Sequence, residues 1–92
     1  MRWWMSFCAT NEPEGDRFRG VVIVKEAKCF HEAFKEVCRL GINPGGECIG
    51  APMPDNITLP EEYFGILLDD DTATLLSHET DRQMGFKSRE RN

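Results

Sequence analysis

No stretch of this chain approaches the roughly 20 consecutive apolar residues of a membrane-spanning helix. The apolar opening Met1–Cys8 meets Asn11-Glu12-Pro13-Glu14 too soon to serve as a secretion signal. A cytoplasmic protein is therefore expected. Excess positive charge is also lacking: 11 Lys and Arg stand against 16 Asp and Glu, a net charge of -5. Neutralising phosphates requires clustered cations, so neither nucleic acid nor a membrane surface is an expected partner. Closely spaced cysteines are missing too. Cys8, Cys29, Cys38 and Cys48 form no CxxC pair, which removes the usual ligand pair of a structural zinc site. With no sign of export they are expected to be thiols. No metal or cofactor is expected.

What remains is a chain of 92 residues, 40% hydrophobic and 29% charged, the composition of one globular domain. A domain of this length buries only about 60–65% of its unfolded surface, so its core is thin. Pairing with a second copy would extend that core, and a homodimer is expected.

Trp3–Cys8 reads as a strand with Trp3, Met5 and Phe7 on one face and Trp4, Ser6 and Cys8 on the other. Turn residues fill Ala9–Asp16. Phe18–Lys25, with its β-branched run Val21–Val24, reads as a central strand forming an antiparallel hairpin with the first. Phe30–Leu40 carries apolar residues at Phe30, Ala33, Phe34, Val37 and Cys38, the stripe of an amphipathic helix. Cys29 occupies its N-cap, with Glu32 where a capping box places its acid. Gly41 supplies the left-handed residue after the helix, and Ile42 folds back onto it.

Asn43-Pro44-Gly45-Gly46 is a turn into a short strand over Glu47–Ala51, which Pro52 ends. Pro60 and two acids suggest another helix start, with Tyr63, Phe64, Leu67 and Leu68 on its apolar side. Asp71 caps a further short turn carrying Leu75 and Leu76. From Ser77 onward the chain is polar and is expected to be a disordered tail. The expected architecture is an α+β domain over residues 1–76, with a polar tail over 77–92. A small antiparallel β-β-α-β sheet carries one main helix, then one or two short C-terminal helices.

Two features invite a functional reading. The glycine amides around Asn43, Gly45 and Gly46 suit a concave nest for a small anionic ligand or nucleotide. A phosphate loop, however, wants its glycines before a helix and a nearby Lys, and Glu47 has the wrong sign. The plainer reading is a helix stop joined to a strand start. The Trp3-Trp4 pair must point its indoles to opposite faces, so one is core and the other needs cover from elsewhere. Exposed Trp is enriched at binding hot spots. Both are candidate partner-binding residues, unless this chain or a dimer mate covers both faces.

Catalytic sets are weaker. Cys29 sits at a helix amino end, which favours thiolate, but His31 projects about 200° away around the helix, poor geometry for a Cys-His pair. Asp69-x-Asp71-x-Ala73 has the outline of an aspartate phosphotransferase motif with Ala in the threonine place, on a chain too short for that fold. The same aspartates lack the glycine of a calcium loop. His78 beside Glu79 reads as exposed. No enzyme is expected.

The strings Phe18-Arg19-Gly20-Val21-Val22-Ile23-Val24, Leu40-Gly41-Ile42-Asn43-Pro44-Gly45-Gly46-Glu47 and Pro60-Glu61-Glu62-Tyr63 resemble those of small uncharacterised bacterial and phage proteins. The resemblance covers roughly residues 3–68, and the Leu40–Glu47 string is its most specific part. It implies a bacterial or phage cytosol, and by analogy a regulatory, host-directed inhibitor with a host protein as partner. The functional expectation is a non-catalytic protein-binding module; the alternative is a small anionic-ligand binder using the glycine loop.

Overall fold

The run Val21–Val24 is buried on both faces of its strand, and the architecture follows from that requirement. Alternate side chains of a strand point to opposite faces. Burying four in succession therefore takes a cover on each side of the sheet. The computed structural model, which describes residues 1–9 and 18–85, supplies one helix per face.

Four strands form an antiparallel sheet: β1 (Arg2–Cys8), β2 (Phe18–Val24), β3 (Glu47–Met53) and β4 (Leu67–Leu68), in the order β3-β1-β2-β4. In β1, Trp3 pairs with Val24 and Pro52, and Trp4 pairs with Ile23 and Ala51. Helix α1 (Phe30–Arg39) packs on the face of Trp3, Met5, Phe7, Val22 and Val24, which its Ala33 and Val37 complete. Helix α2 (Asp70–Gln83) packs on the opposite face, where Ala73 and Leu76 meet Val21, Ile23, Met53, Ile57, Leu59 and Leu68. This confirms the α+β class and gives it three layers, with the sheet in the middle. Fully burying an aliphatic or aromatic side chain stabilises by about 1.5–3 kcal/mol, so a thin domain gains by using both faces of one strand.

Local chemistry fixes the first helix. Cys29 is its N-cap, but the thiol makes no capping bond. Glu32 accepts instead from the Lys28 amide at 2.9 Å, so the acid of the expected capping box serves the residue before the cap. At the other end the Gly41 amide bonds Cys38 O, and the Ile42 amide reaches Val37 O. With Gly41 at φ +75, this is the paired-bond helix stop that the Leu40-Gly41-Ile42 string calls for. Ile42 packs against the core. Phe30 and Cys38 are exposed, so they border the apolar stripe and do not fill it.

Three expectations fail in the second half. The helix expected after Pro60 is a single 3-10 turn over Glu61–Tyr63, followed by strand β4. Gly65, at φ +71, breaks the helical path, and its amide is spent on Ile23 O at 3.0 Å. Leu68 is buried and Leu67 exposed, the alternation of a strand and not the shared face of a helix. The polar segment expected to be disordered from Ser77 instead continues α2 to Gln83. Asp69, not Asp71, caps this helix, accepting from the Thr72 amide at 2.9 Å. Arg82 and Gln83 both bond the Glu79 carboxylate, and Gln83 also bridges the amide and carbonyl of Thr58. These polar ties anchor a helix end that has little apolar surface to bury. The loop expected over Ala9–Asp16 lies, beyond Ala9, outside the described residues, as do residues 86–92 of the expected tail.

Candidate interaction surface

Of the two tryptophans, Trp3 belongs to the core. It is 9% exposed, its indole Nε1 donates to Ala27 O at 3.2 Å, and its ring meets Phe30 edge-on at 6.5 Å. Phe30 in turn stacks on Phe34, which lies 6.4 Å from Phe7. Trp3 is thus enclosed by the helix of its own chain, and its expected place on a partner-binding surface is lost. The reason is the β1 register, which turns Trp3 toward α1.

Trp4 points to the other face and is half-buried. It forms the floor between two shallow clefts along α2. One, about 210 Å³, is lined by Ser6, Phe18, Asp70, Thr74, Ser77 and His78 among others. The second, about 180 Å³, is lined by Met53, Ser77, Thr80 and Asp81. Helix α2 therefore covers Trp4 only in part.

The glycine loop is held by its own side chain. Asn43 Oδ1 accepts from the Gly45 amide at 2.8 Å, and Asn43 Nδ2 donates to Cys38 Sγ at 3.4 Å. A Cβ on Gly46, at φ +85, would lie 2.4 Å from Cys8 O. Gly46 thus lets the loop pass tightly over the end of β1, and the Gly45 amide already has its acceptor. Both observations fit the plainer reading of this segment as the turn that delivers β3 to β1.

The other sequence candidates are not drawn together. Cys29 and His31 are both exposed. All four cysteines are free, and partial burial, with Cys38 nearby, pushes the Cys48 thiol up. The aspartates at 69–71 form the cap and first turn of α2. Bonding to Thr72 holds the Asp69 carboxyl below its usual range. Among the described residues no three His, Cys, Asp or Glu side chains converge on a metal-sized site. No helix among them is long and apolar enough to cross a membrane.

The feature the sequence did not single out is strand β3. Its residues alternate strictly in position but not in cover. Met53 is buried under α2, whereas Ile49 is 67% exposed and Ala51 is also exposed. Helix α2 stops short of this half of the sheet. On the opposite face the Phe30 ring packs against Gly50, where a Cβ would come within 2.5 Å of it.

The backbone of β3 is open as well. The Ile23 carbonyl accepts from Gly65, so Ile23 turns its backbone groups toward β4. Backbone groups alternate sides along a strand. Val22 and Val24 therefore face β1, Trp3 and Met5 face them in return, and Trp4 and Ser6 face β3. Ala51 and Ile49 answer those two. The N–H and C=O of Cys48 and Gly50 are left pointing out of the sheet, with the carbonyl of Pro52. Proline is tolerated there because the group it lacks would have faced outward. Among the described residues no backbone bond reaches this outer side. The strand expected to stop before Pro52 thus runs through it to Met53, and a proline inside an otherwise apolar run is the sequence signal of an edge strand.

No protein-family model, curated protein or solved structure matches the chain.

Proposed function

We propose that this chain is a non-catalytic protein-binding module. The observation that carries the reading is the uncovered half of the sheet. Ile49 and Ala51 are exposed beside half-buried Trp4, on an edge strand of 7 residues. Long apolar edges are a hazard that proteins blunt with charge or cover, unless the edge is used. Here the only charged residue in β3 is Glu47, at its start. A polypeptide partner meets both needs of the surface, apolar cover and backbone hydrogen bonds. A second copy and a different protein both fit this reading. A regulatory or host-directed role is proposed by analogy with small acidic phage proteins of this size. The alternative, a small anionic ligand at Asn43, Gly45 and Gly46, is left with one amide fewer, since that of Gly45 is already bonded.

The test compares the wild type with Ile49→Lys by native mass spectrometry after purification without denaturation. Ile49 is mostly exposed, so the substitution should shift stability by no more than about 0.5 kcal/mol. A polypeptide bound to the wild type and lost from the variant supports the reading. A releasable adduct of small-molecule mass on both proteins would replace it with the ligand binder.

A further inference from the structure

We infer that the free edge of β3 receives a single extended strand from a partner protein, and that this strand is basic. The inference rests on the binding-module reading and names its mode and partner class. Three observations lead to it. First, the backbone groups of Cys48 and Gly50 face outward in strand geometry, the template on which a further strand forms its ladder. Second, the edge is flanked by apolar side chains above and below. Phe30, 38% exposed, lies on one face, and Ile49 lies on the other. A strand alternates its side chains between two faces, so both halves of a guest strand meet apolar cover.

Third, the charges around the α2 face of this edge are acidic. Glu47 shares the face of Ile49, and Asp81 stands over Trp4 and Met53. Arg2, the cation of β1 on this face, gives its guanidinium to Ile57 O and to the Phe64 ring. Among the described residues neither Glu47 nor Asp81 is in an ion pair. The ion pairs among the described residues are made elsewhere, the Met1 amino group with Glu26, Lys25 with Glu61, Arg39 with Glu36 and Arg82 with Glu79. A Lys or Arg on the guest strand can lay its aliphatic stem along Ile49 and carry its charge to Glu47 or Asp81. Cross-strand pairs of opposite charge stabilise a ladder, and like charges oppose it.

The same charges argue against a second copy as the guest. Antiparallel pairing of two β3 strands would bring two acidic grooves together on chains of net charge -5. A homodimer formed through this edge is therefore disfavoured.

The experiment follows backbone amides of the full chain by NMR while adding a capped peptide of alternating Lys and Val, equal in length to β3 at 7 residues. The matched peptide of alternating Glu and Val is the control. The expected result is a shift of the Cys48 and Gly50 amides and their slowed hydrogen exchange. The Lys peptide should bind at least about tenfold more tightly than the Glu peptide, and that preference should shrink in Asp81→Asn, whose side chain is on the surface groove. Equal binding of the two peptides would overturn the charge assignment. Shifts confined to another surface, or none up to the peptide's solubility limit, would overturn the edge itself. If the wild type still holds a polypeptide in native mass spectrometry, the binding-module reading survives that result. Protection of Cys48 and Gly50 that grows with protein concentration alone would make the guest a second copy and overturn the inference.

Discussion

The two faces of the sheet are closed by different means. On the α1 face an aromatic group, Trp3, Phe7, Phe30 and Phe34, spreads from β1 out over Gly50 of β3, and the cover reaches the edge of the sheet. On the α2 face the helix offers only Ala73 and Leu76 as buried contacts. It is anchored by polar ties at its ends, and it leaves Ile49 and Ala51 open. Large rings allow a short helix to cover a wide area. A long helix with a narrow stripe covers only the strands directly beneath it.

The sharpest way to break this contrast is to truncate one buried residue on each side. Phe7→Ala should cost about 3–5 kcal/mol and Leu76→Ala about 2–3 kcal/mol. Urea unfolding monitored by circular dichroism reads both. Equal costs would mean that the two faces contribute alike.

A smaller effect tests the loop that places β3. Gly46→Ala puts a Cβ against Cys8 O at a positive φ and should cost about 1–3 kcal/mol. Gly45→Ala has open space around it and should cost only the left-handed strain, about 1–2 kcal/mol. Unfolding midpoints in the same assay give the comparison. A reversed order would show that the approach of the loop to β1 is not what constrains it.

The smallest effect concerns pH. Bonds from Arg82 and Gln83 bring the Glu79 carboxyl down to about 2, and the Thr72 bond lowers that of Asp69. A carboxyl that is more acidic when folded adds stability above its unfolded pKa, and that stability is lost as pH falls toward its folded value. For Glu79 the loss runs from about pH 4.5 down to about pH 2. On α1 the Arg39 guanidinium likewise lowers the Glu36 carboxyl. The amides of α2 should therefore lose hydrogen-exchange protection in acid before those of α1, and Glu79→Gln should flatten the α2 dependence. Simultaneous loss in both helices would mean that the polar ties do not hold α2.

Much of this fold is legible in local sequence. The valine run, the alternation of Trp3 with Trp4 and the glycine that ends α1 each carry their signal within a few residues. Two elements are not legible. Strand β4 is two residues long, and the bonds that make it a strand come from β2, far away in the chain. The end of α2 has the composition of a disordered tail, and its anchors, such as Thr58 for Gln83, appear only once the chain is folded. The interaction surface escaped for the same reason. Within Glu47–Met53 only Pro52 signals that this strand lies at the outside of the order β3-β1-β2-β4, and a proline equally suits a strand end. The tryptophan pair was legible as a pair, but which indole the first helix would enclose depended on the face it chose.

The inequality of the two outer strands has a consequence for stoichiometry. One end of the sheet is a strand of 7 residues and the other a strand of only 2. Growth by strand addition needs a usable edge at each end, so that every added unit offers a new one. A sheet with one full edge and one stub takes up one guest and then terminates. If the proposed guest strand docks on β3, assembly through this edge closes at one guest per chain, because the two-residue strand at the other end offers no second edge for growth.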